Sequence, residues 1–379
     1  MNDRYVILTG SKNNAGDFLI KYRAKQLFAA LRSDREIIDW NVWDEFDEER
    51  LKFVNESRAV ILLGGPALMK NMYPNKYKLH ENLDKITAPI IALGIGWACE
   101  RGDWSDINTY ELSDSTHALL KKMDATGYYS SVRDYHTLQV LLNSGYKNVL
   151  MSGCPALYSL DHVDVNVKKD PSVKKIGFSL GVTMRHSETM FKQMQNVLLM
   201  LKRMFPESQV EAVFHHTIDP DYKKAQVSKA IHGIQKRYLD WLDANDFSYV
   251  DISGSAENLI NYYSQVDMHI GYRVHAHIFM NSISKKSILL NEDGRGKALE
   301  RVLGGMTFSA YDSINTSKLN KELSKLSRNF SRHKDNTYLI KDLENSIRYE
   351  LKEGIKFLQP RSEIDRHFEI MQRFIKQLP

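Results

Sequence analysis

Tyr5-Val-Ile-Leu-Thr-Gly10, followed closely by Asn13-Asn-Ala-Gly-Asp17, is a β-branched run that ends on glycine and opens into helical sequence from Asp17 to about Leu31. The pattern recurs at Arg58-Ala-Val-Ile-Leu-Leu63, ending in Gly64-Gly65, and at Pro89-Ile-Ile-Ala-Leu93, ending in Gly94-Ile-Gly96. Strands alternating with helices predict βαβ units and a parallel sheet. In doubly wound sheets ligands bind at the carboxyl ends of strands, so these glycines mark candidate ligand positions, although a tight turn asks for glycine equally.

A second series follows Tyr158–Val173, a stretch without clear periodicity that reads as an interdomain linker. Strands are expected at Lys175–Leu180, Val210–Phe214, Ser248–Ile252, Val266–Ile270 and Lys286–Leu290, with helices over Glu188–Met204, Tyr222–Ala244 and Glu257–Ser264. In the tail, Leu343, Ile347, Leu351, Ile355 and Leu358 form one helical stripe, and Ile364, Phe368, Met371, Ile375 and Leu378 form another. The expected architecture is α/β: two Rossmann-like domains facing a cleft (1–165 and 166–315) and C-terminal helices (316–379) that pack back on them.

The chain has 379 residues, 42% apolar and 26% charged, which fits two globular domains and excludes disorder, collagen and a disulfide scaffold. Cys99 and Cys154 are its two cysteines, too few for a zinc cluster or a disulfide framework and consistent with a reducing compartment. The first residues form too short an apolar run for a signal peptide and no later run approaches the ~20 residues of a membrane span, so a soluble, cytoplasmic protein is expected. Residues 318–379 hold 14 Lys and Arg against 9 Asp and Glu, which accounts for the whole net charge of +5. The balanced remainder argues against nucleic acid as a partner. The basic tail reads as a solvated helix face, with peripheral contact to an anionic membrane as the alternative.

The stretch richest in chemistry is Gly271-Tyr-Arg-Val-His-Ala-His-Ile-Phe-Met280, where a strand turns into a helix. Arg273 and His275 lie there beside unpaired backbone N–H groups and the positive end of the helix dipole, a placement that an anionic ligand would compensate. The structural alternative pairs Arg273 with an acidic neighbour and makes His275 a satisfied core residue. Arg185, in Gly181-Val-Thr-Met-Arg185 after the first strand of the second domain, can converge with Arg273 on a ligand carrying carboxylate and phosphate. Asp17 is either a helix cap or a general base facing the cleft. Arg133, in Ser131-Val-Arg-Asp134 after an expected strand at Thr126–Ser130, touches ligand or braces the domain.

Several other histidines and acids carry less. His275 and His277 point apart on a helix and make a poor metal pair, and of His215 and His216 at most one can address the cleft. Asp219-Pro-Asp221 reads as a turn before a metal site. No metal is expected.

Taken in order, Asn14-Ala-Gly-Asp17, Gly64-Gly65, Gly94-Ile-Gly96, Ser131-Val-Arg-Asp134, Gly153-Cys-Pro-Ala156 and Arg273-Val-His275 resemble the polysaccharide pyruvyl transferase family over roughly residues 5–305. The resemblance implies a GT-B-like fold and transfer of pyruvate from phosphoenolpyruvate, as a ketal, to a saccharide that is free, lipid-linked or polymeric. It places Arg185, Arg273 and His275 in the donor site of the second domain. His275 and Asp17 are then the catalytic candidates, the histidine titrating near neutrality, with Asn14, Gly16, Asp17, Gly65, Gly96 and Arg133 on the acceptor side. Phosphoenolpyruvate is a co-substrate and no cofactor is implied. Pro66, Cys154 and His277 depart from the family pattern and leave the acceptor site open. Competing readings are a GT-B glycosyltransferase using a nucleotide sugar and a non-catalytic saccharide-binding protein on the same scaffold.

Overall fold

A computed structural model describes residues 2–10, 13–167, 172–221, 223, 227–315 and 317–379. Two parallel six-stranded sheets organise it. The first contains β1 (Arg4–Thr9), β2 (Glu36–Asn41), β3 (Ala59–Leu68), β4 (Ile90–Trp97), β5 (Ser130–Val132) and β6 (Val149–Met151) in the order β2-β1-β3-β4-β5-β6. Helices α1 (Ala15–Leu31), α2 (Glu48–Asn55), α3 (Trp104–Asn108), α4 (Asp114–Asp124) and α5 (Tyr135–Asn143) lie between these strands.

The second sheet contains β7 (Lys175–Ser179), β8 (Gln209–Phe214), β9 (Ser248–Asp251), β10 (Met268–Gly271), β11 (Lys286–Asn291) and β12 (Met306–Ser309) in the order β12-β11-β10-β7-β8-β9. Its helices are α6 (Glu188–Met204), α7 (Lys229–Ala244), α8 (Ala256–Tyr263), α9 (Val274–Ser282) and α10 (Gly294–Leu303).

Strand order reverses between β1 and β3 in one sheet and between β7 and β10 in the other. Ligand crevices form at such switch points. Here the two lie together: the N–H of Ala15, at the start of α1, points to the carbonyl of His215, just past β8, and Gly254 donates its N–H to the Asn13 carbonyl at 3.0 Å.

Several boundaries differ from the sequence reading. β3 and β4 run through Gly64-Gly65 and Gly94-Ile-Gly96 instead of ending before them, with the register shifting between Gly65 and Leu68 where Pro66 sits. The strand expected at Thr126–Ser130 starts at Ser130, because Thr126 closes α4: its hydroxyl donates to the Met123 carbonyl at 2.8 Å. α7 begins at Lys229, capped by the Ser228 hydroxyl; the expected start at Tyr222 and residues 168–171 of the expected linker lie outside the described residues. Before them the linker is anchored at its start, with Tyr158 and Ser159 buried and the Tyr158 hydroxyl donating to the Ser152 carbonyl, and then runs largely exposed from Leu160 to Asn166.

An antiparallel pair, β13 (Tyr311–Ile314) and β14 (His333–Asp335), brackets α11 (Lys318–Leu326) beside the cleft. α12 (Leu339–Glu353) buries Leu339, Leu343 and Ile347 in the second core. The first expected stripe then stops, since Gly354 turns left-handed at φ 74° and leaves Ile355 60% exposed. The chain crosses over as α13 (Ile355–Lys376), whose Ile364, Phe368, Met371, Phe374 and Ile375 join the other core, which is centred on the first sheet and extends to α8, α9 and α10. Each such side chain contributes on the order of 1.5–3 kcal/mol by burial. The Pro379 carbonyl accepts from the Tyr5 hydroxyl at 2.6 Å and the Leu378 carbonyl from Arg32 at 2.6 Å, which fastens the end of the chain to the first domain. Among the described residues no helix is long and apolar enough to cross a membrane.

Candidate active site between the switch points

The first wall is the start of α1. Asn14 caps this helix, its side-chain oxygen accepting from the Gly16 N–H at 3.3 Å, so the capping role is not left to Asp17. Asp17 instead lines a cavity of about 200 Å³ with Asn14, Gly65, Lys76, His275 and Arg295. Burial raises the Asp17 carboxyl above its ordinary range, against the opposing pull of Lys76, an Asn14 hydrogen bond, Arg295 and Arg133. A carboxylate so placed is a stronger base than a solvated one.

The second wall is the start of α9. Arg273 is its N-terminal flanking residue and His275 stands in its first turn, as the strand-to-helix reading requires. The Nε2 atom of His275 is buried and makes no hydrogen bond. Burial comes first, then Arg133, Arg295 and Arg273, in pushing this imidazole down to about 3. The expectation of a histidine titrating near neutrality is therefore corrected for the ligand-free site: a cation in that place meets low dielectric and three guanidinium groups.

Arg273 Nε donates to the Leu180 carbonyl at 2.7 Å, and one of its terminal N–H groups points to His216 Nδ1 at 3.0 Å. No carboxylate lies within ion-pair distance of it among the described residues, contrary to the acidic-neighbour reading. Burial holds its guanidinium at about 10. Arg185 ends a short 3-10 turn (Thr183–Arg185), its N–H donating to the Val182 carbonyl at 3.1 Å, and lines the wider cleft of about 980 Å³; its guanidinium makes no hydrogen bond among the described residues. That turn is fixed by Glu292, which accepts from the N–H groups of Val182 and Thr183 at 3.0 Å each and from the Thr183 hydroxyl at 2.6 Å.

Arg295 belongs to both spaces, lining the inner cavity and the wider cleft. It pairs with Asp293 at 2.5 Å, which raises its guanidinium further. It does not stand out in the sequence. Asp293-Gly-Arg-Gly-Lys297 follows β11 at the same sheet edge as Arg273, and that position was the available signal.

Arg133 is buried under β4. A Cβ on Gly96 would fall 2.0 Å from its Nε, so Gly96 serves the approach of this guanidinium and does not line the inner cavity. Its Nε donates to Asp134 at 3.3 Å, Asp134 caps α5 through Thr137, and one terminal nitrogen has no hydrogen-bond partner.

Other candidates fall away from the cleft. His215 is buried with Nε2 2.8 Å from the Tyr263 hydroxyl, and His216 is the member of that pair that meets Arg273. His277 and His269 share the Ser287 hydroxyl at 2.8 Å each, and His269 reaches Ser179 at 2.8 Å, a buried chain beneath Arg273. The Asp219 and Asp221 carboxylates accept from backbone N–H groups two residues on, so the segment is a turn. Burial lifts Cys99 and Cys154 to about 11, so neither is a thiolate at neutral pH.

A family model described as polysaccharide pyruvyl transferase matches residues 14–279, the span that contains both walls of this site. No curated protein matches the sequence. Among solved structures, the UDP-GlcNAc 2-epimerase of Neisseria meningitidis bound to UDP-GlcNAc is 10% identical, with a TM-score of 0.52 and 98% of each chain covered. The UDP-GlcNAc 2-epimerase of Methanocaldococcus jannaschii in complex with UDP-GlcNAc and UDP is 11% identical, with a TM-score of 0.50 and 98% and 99% covered. At such identities the likeness shows the fold alone, and the fold is GT-B-like.

Proposed function

The chain belongs to the polysaccharide pyruvyl transferase family, and on that premise we propose that it transfers pyruvate from phosphoenolpyruvate to two hydroxyls of a saccharide, releasing phosphate. The observation that carries this reading is the pairing, across one 200 Å³ cavity, of a carboxylate with raised basicity (Asp17) and an imidazole with an unpartnered nitrogen (His275), near Arg273, a guanidinium held by neutral acceptors.

Arg273 and Arg185 bind the donor's carboxylate and phosphate. Charged forks of this kind are preorganised for planar and tetrahedral oxyanions. The acceptor hydroxyl oxygen forms a bond to C2 of the enol phosphate while its proton passes to Asp17. C3 takes a proton from His275 and becomes a methyl group. The second hydroxyl then attacks C2 and gives its proton to the now neutral His275, while the C2–O bond to phosphate breaks, the departing phosphate takes the proton held by Asp17, and the cyclic ketal closes. The donor's negative charges offset the arginines that hold His275 neutral, so binding of phosphoenolpyruvate raises the imidazole's proton affinity when an acid is needed. No step calls on a metal, and among the described residues no group of three or more His, Cys, Asp or Glu is arranged to hold one.

The test is phosphate release from phosphoenolpyruvate over a panel of saccharides, with the ketal methyl followed by proton NMR. Release that requires a saccharide and persists in chelator supports the reading. Heat protection by UDP-sugars and not by phosphoenolpyruvate would favour a nucleotide-sugar glycosyltransferase instead.

A further inference from the structure

Arginines beside the cleft are held in two ways. Arg295 pairs with Asp293 at 2.5 Å, Arg328 with Glu188 at 2.8 Å, and Arg332 with Glu100 at 2.5 Å, each with a carboxylate that cancels its charge. Arg273 is held by a backbone carbonyl, Leu180, and an imidazole nitrogen, His216 Nδ1. The nearby carboxylate of Glu292 is occupied by the Val182 and Thr183 N–H groups and the Thr183 hydroxyl. Leu180 follows β7, His216 follows β8 and Arg273 follows β10, and these three strands are neighbours in the order β10-β7-β8. The guanidinium is thus tied across the carboxyl edge of the sheet by neutral acceptors that follow the next two strands on one side of β10.

We propose that His216 is a positioning residue of the donor site, anchoring Arg273 through a neutral nitrogen so that the guanidinium is fixed in place while its charge remains free for an anionic ligand. The inference rests on the donor reading above. A carboxylate at position 216 would fix the fork as well, but it would neutralise the charge the anion needs. The hydrogen bond requires Nδ1 to be unprotonated, which assigns the Nε2–H tautomer. Burial, then Arg273, Arg185 and Arg295, push this imidazole down to about 2, so the neutral form persists throughout the physiological range.

The substitutions His216→Asn and His216→Asp place a neutral and a charged oxygen near the position of Nδ1 with almost equal volume. Binding of phosphoenolpyruvate, and separately of inorganic phosphate, is measured by calorimetry on the full chain, with melting temperature as the control for folding. The Asn variant is expected to stay within about threefold of wild type, and the Asp variant to lose roughly tenfold or more for both anions while melting no lower than the Asn variant. Equal affinities of the two variants would overturn the proposal. So would an Asn variant as weak as the Asp one at equal heat stability, since the imidazole itself would then be needed. If wild type binds inorganic phosphate with this ranking but not phosphoenolpyruvate, the anchor stands and the donor reading falls. Binding of neither anion overturns both.

Discussion

Gly16 and His275 meet across the domain boundary: a Cβ on Gly16 would fall 2.2 Å from the imidazole Nδ1 and 2.6 Å from its Cγ. The glycine of the first motif is therefore the floor on which the histidine of the last one rests. Gly16→Ala is expected to displace the ring and cut turnover by roughly tenfold or more, because misplacement of a reacting group by about 1 Å can cost two orders of magnitude. The clash reaches the His275 Cβ at 2.8 Å, so overpacking should also cost about 1–3 kcal/mol of stability, partly offset by the better helix propensity of alanine, and rates are compared at matched folded fractions. Steady-state kinetics and a melting curve on the same preparation decide it, and a variant with unchanged turnover would remove His275 from the reaction.

The last helix makes the second prediction. Phe374 is 2% exposed and Met371 fully buried in the core centred on the first sheet, although α13 follows directly on a helix that packs into the other core. Phe374→Ala should destabilise the protein by about 3–5 kcal/mol, the usual result of emptying an aromatic core site. Chemical denaturation followed by fluorescence measures this. A loss below about 1 kcal/mol would mean that the first domain does not depend on the helix.

Acid sensitivity follows from the buried histidines. His275 and His277 are pushed down to about 3 and His216 to about 2, while His215 and His269 lie well below the ordinary range, burial being the first cause in each. Unfolded, these rings take protons below about pH 6.5, and folded they do not until far lower, so the unfolded chain binds more protons throughout that window. Stability is fully present above pH 6.5 and is lost as the pH falls towards 3. Melting temperatures from pH 7 to 4 should decline, and more gently in His277→Leu, which removes one buried ring. A profile that is flat in wild type would contradict the neutral assignment.

What was legible in the sequence were the strands and the order of its ligand-side motifs, because a buried parallel strand leaves an unbroken apolar run and a strand-to-helix edge leaves glycine, asparagine and aspartate in sequence. Arg273, His275 and Asp17 stand out that way. Arg295 does not, since Asp293-Gly-Arg-Gly-Lys297 has nothing local to separate a cleft arginine from a surface one; only the pairing of β11 with β10 brings it to the cavity. The proton affinity of His275 was misread for the same reason: Arg133, Arg295 and Arg273 are far apart in the chain and only folding gathers them. The break at Gly354 shows that a stripe at spacings of three and four is also what two consecutive helices leave when one glycine separates them.

Arg273 carries the fourth prediction. Arg273→Lys keeps a charge but loses the fork that bonds Leu180 and His216 and, in the proposed reaction, would hold the donor anion. Both Arg273→Lys and Arg273→Ala are expected to lower turnover on the order of 10²–10³-fold, the usual result of removing one preorganised donor from a charged transition state. Rate constants should be compared at matched folded fractions. A Lys variant close to wild type would show that charge alone suffices and that the fork geometry is idle.

The last prediction concerns when His275 acquires its proton. In the ligand-free site the imidazole is held near 3 by burial and by Arg133, Arg295 and Arg273, so it cannot serve as an acid at neutral pH. A bound anion bearing carboxylate and phosphate adds negative charge among those arginines, and an opposite charge within ~4–6 Å favours the protonated form. The proton affinity of His275 should therefore rise on binding, which arms the acid only when the donor is present. Nitrogen-edited NMR of the imidazoles, assigned with His275→Ala, reads this directly. Without ligand the His275 signals should stay unprotonated from pH 8 down to about 5, and with saturating phosphoenolpyruvate their midpoint should move up towards neutrality. The kcat profile, which reports groups in the bound complex, should show a limb at that midpoint that His275→Ala abolishes. A midpoint near 6.5 without ligand would refute the electrostatic account of the site, and a midpoint unmoved by phosphoenolpyruvate would assign the proton on C3 to another group.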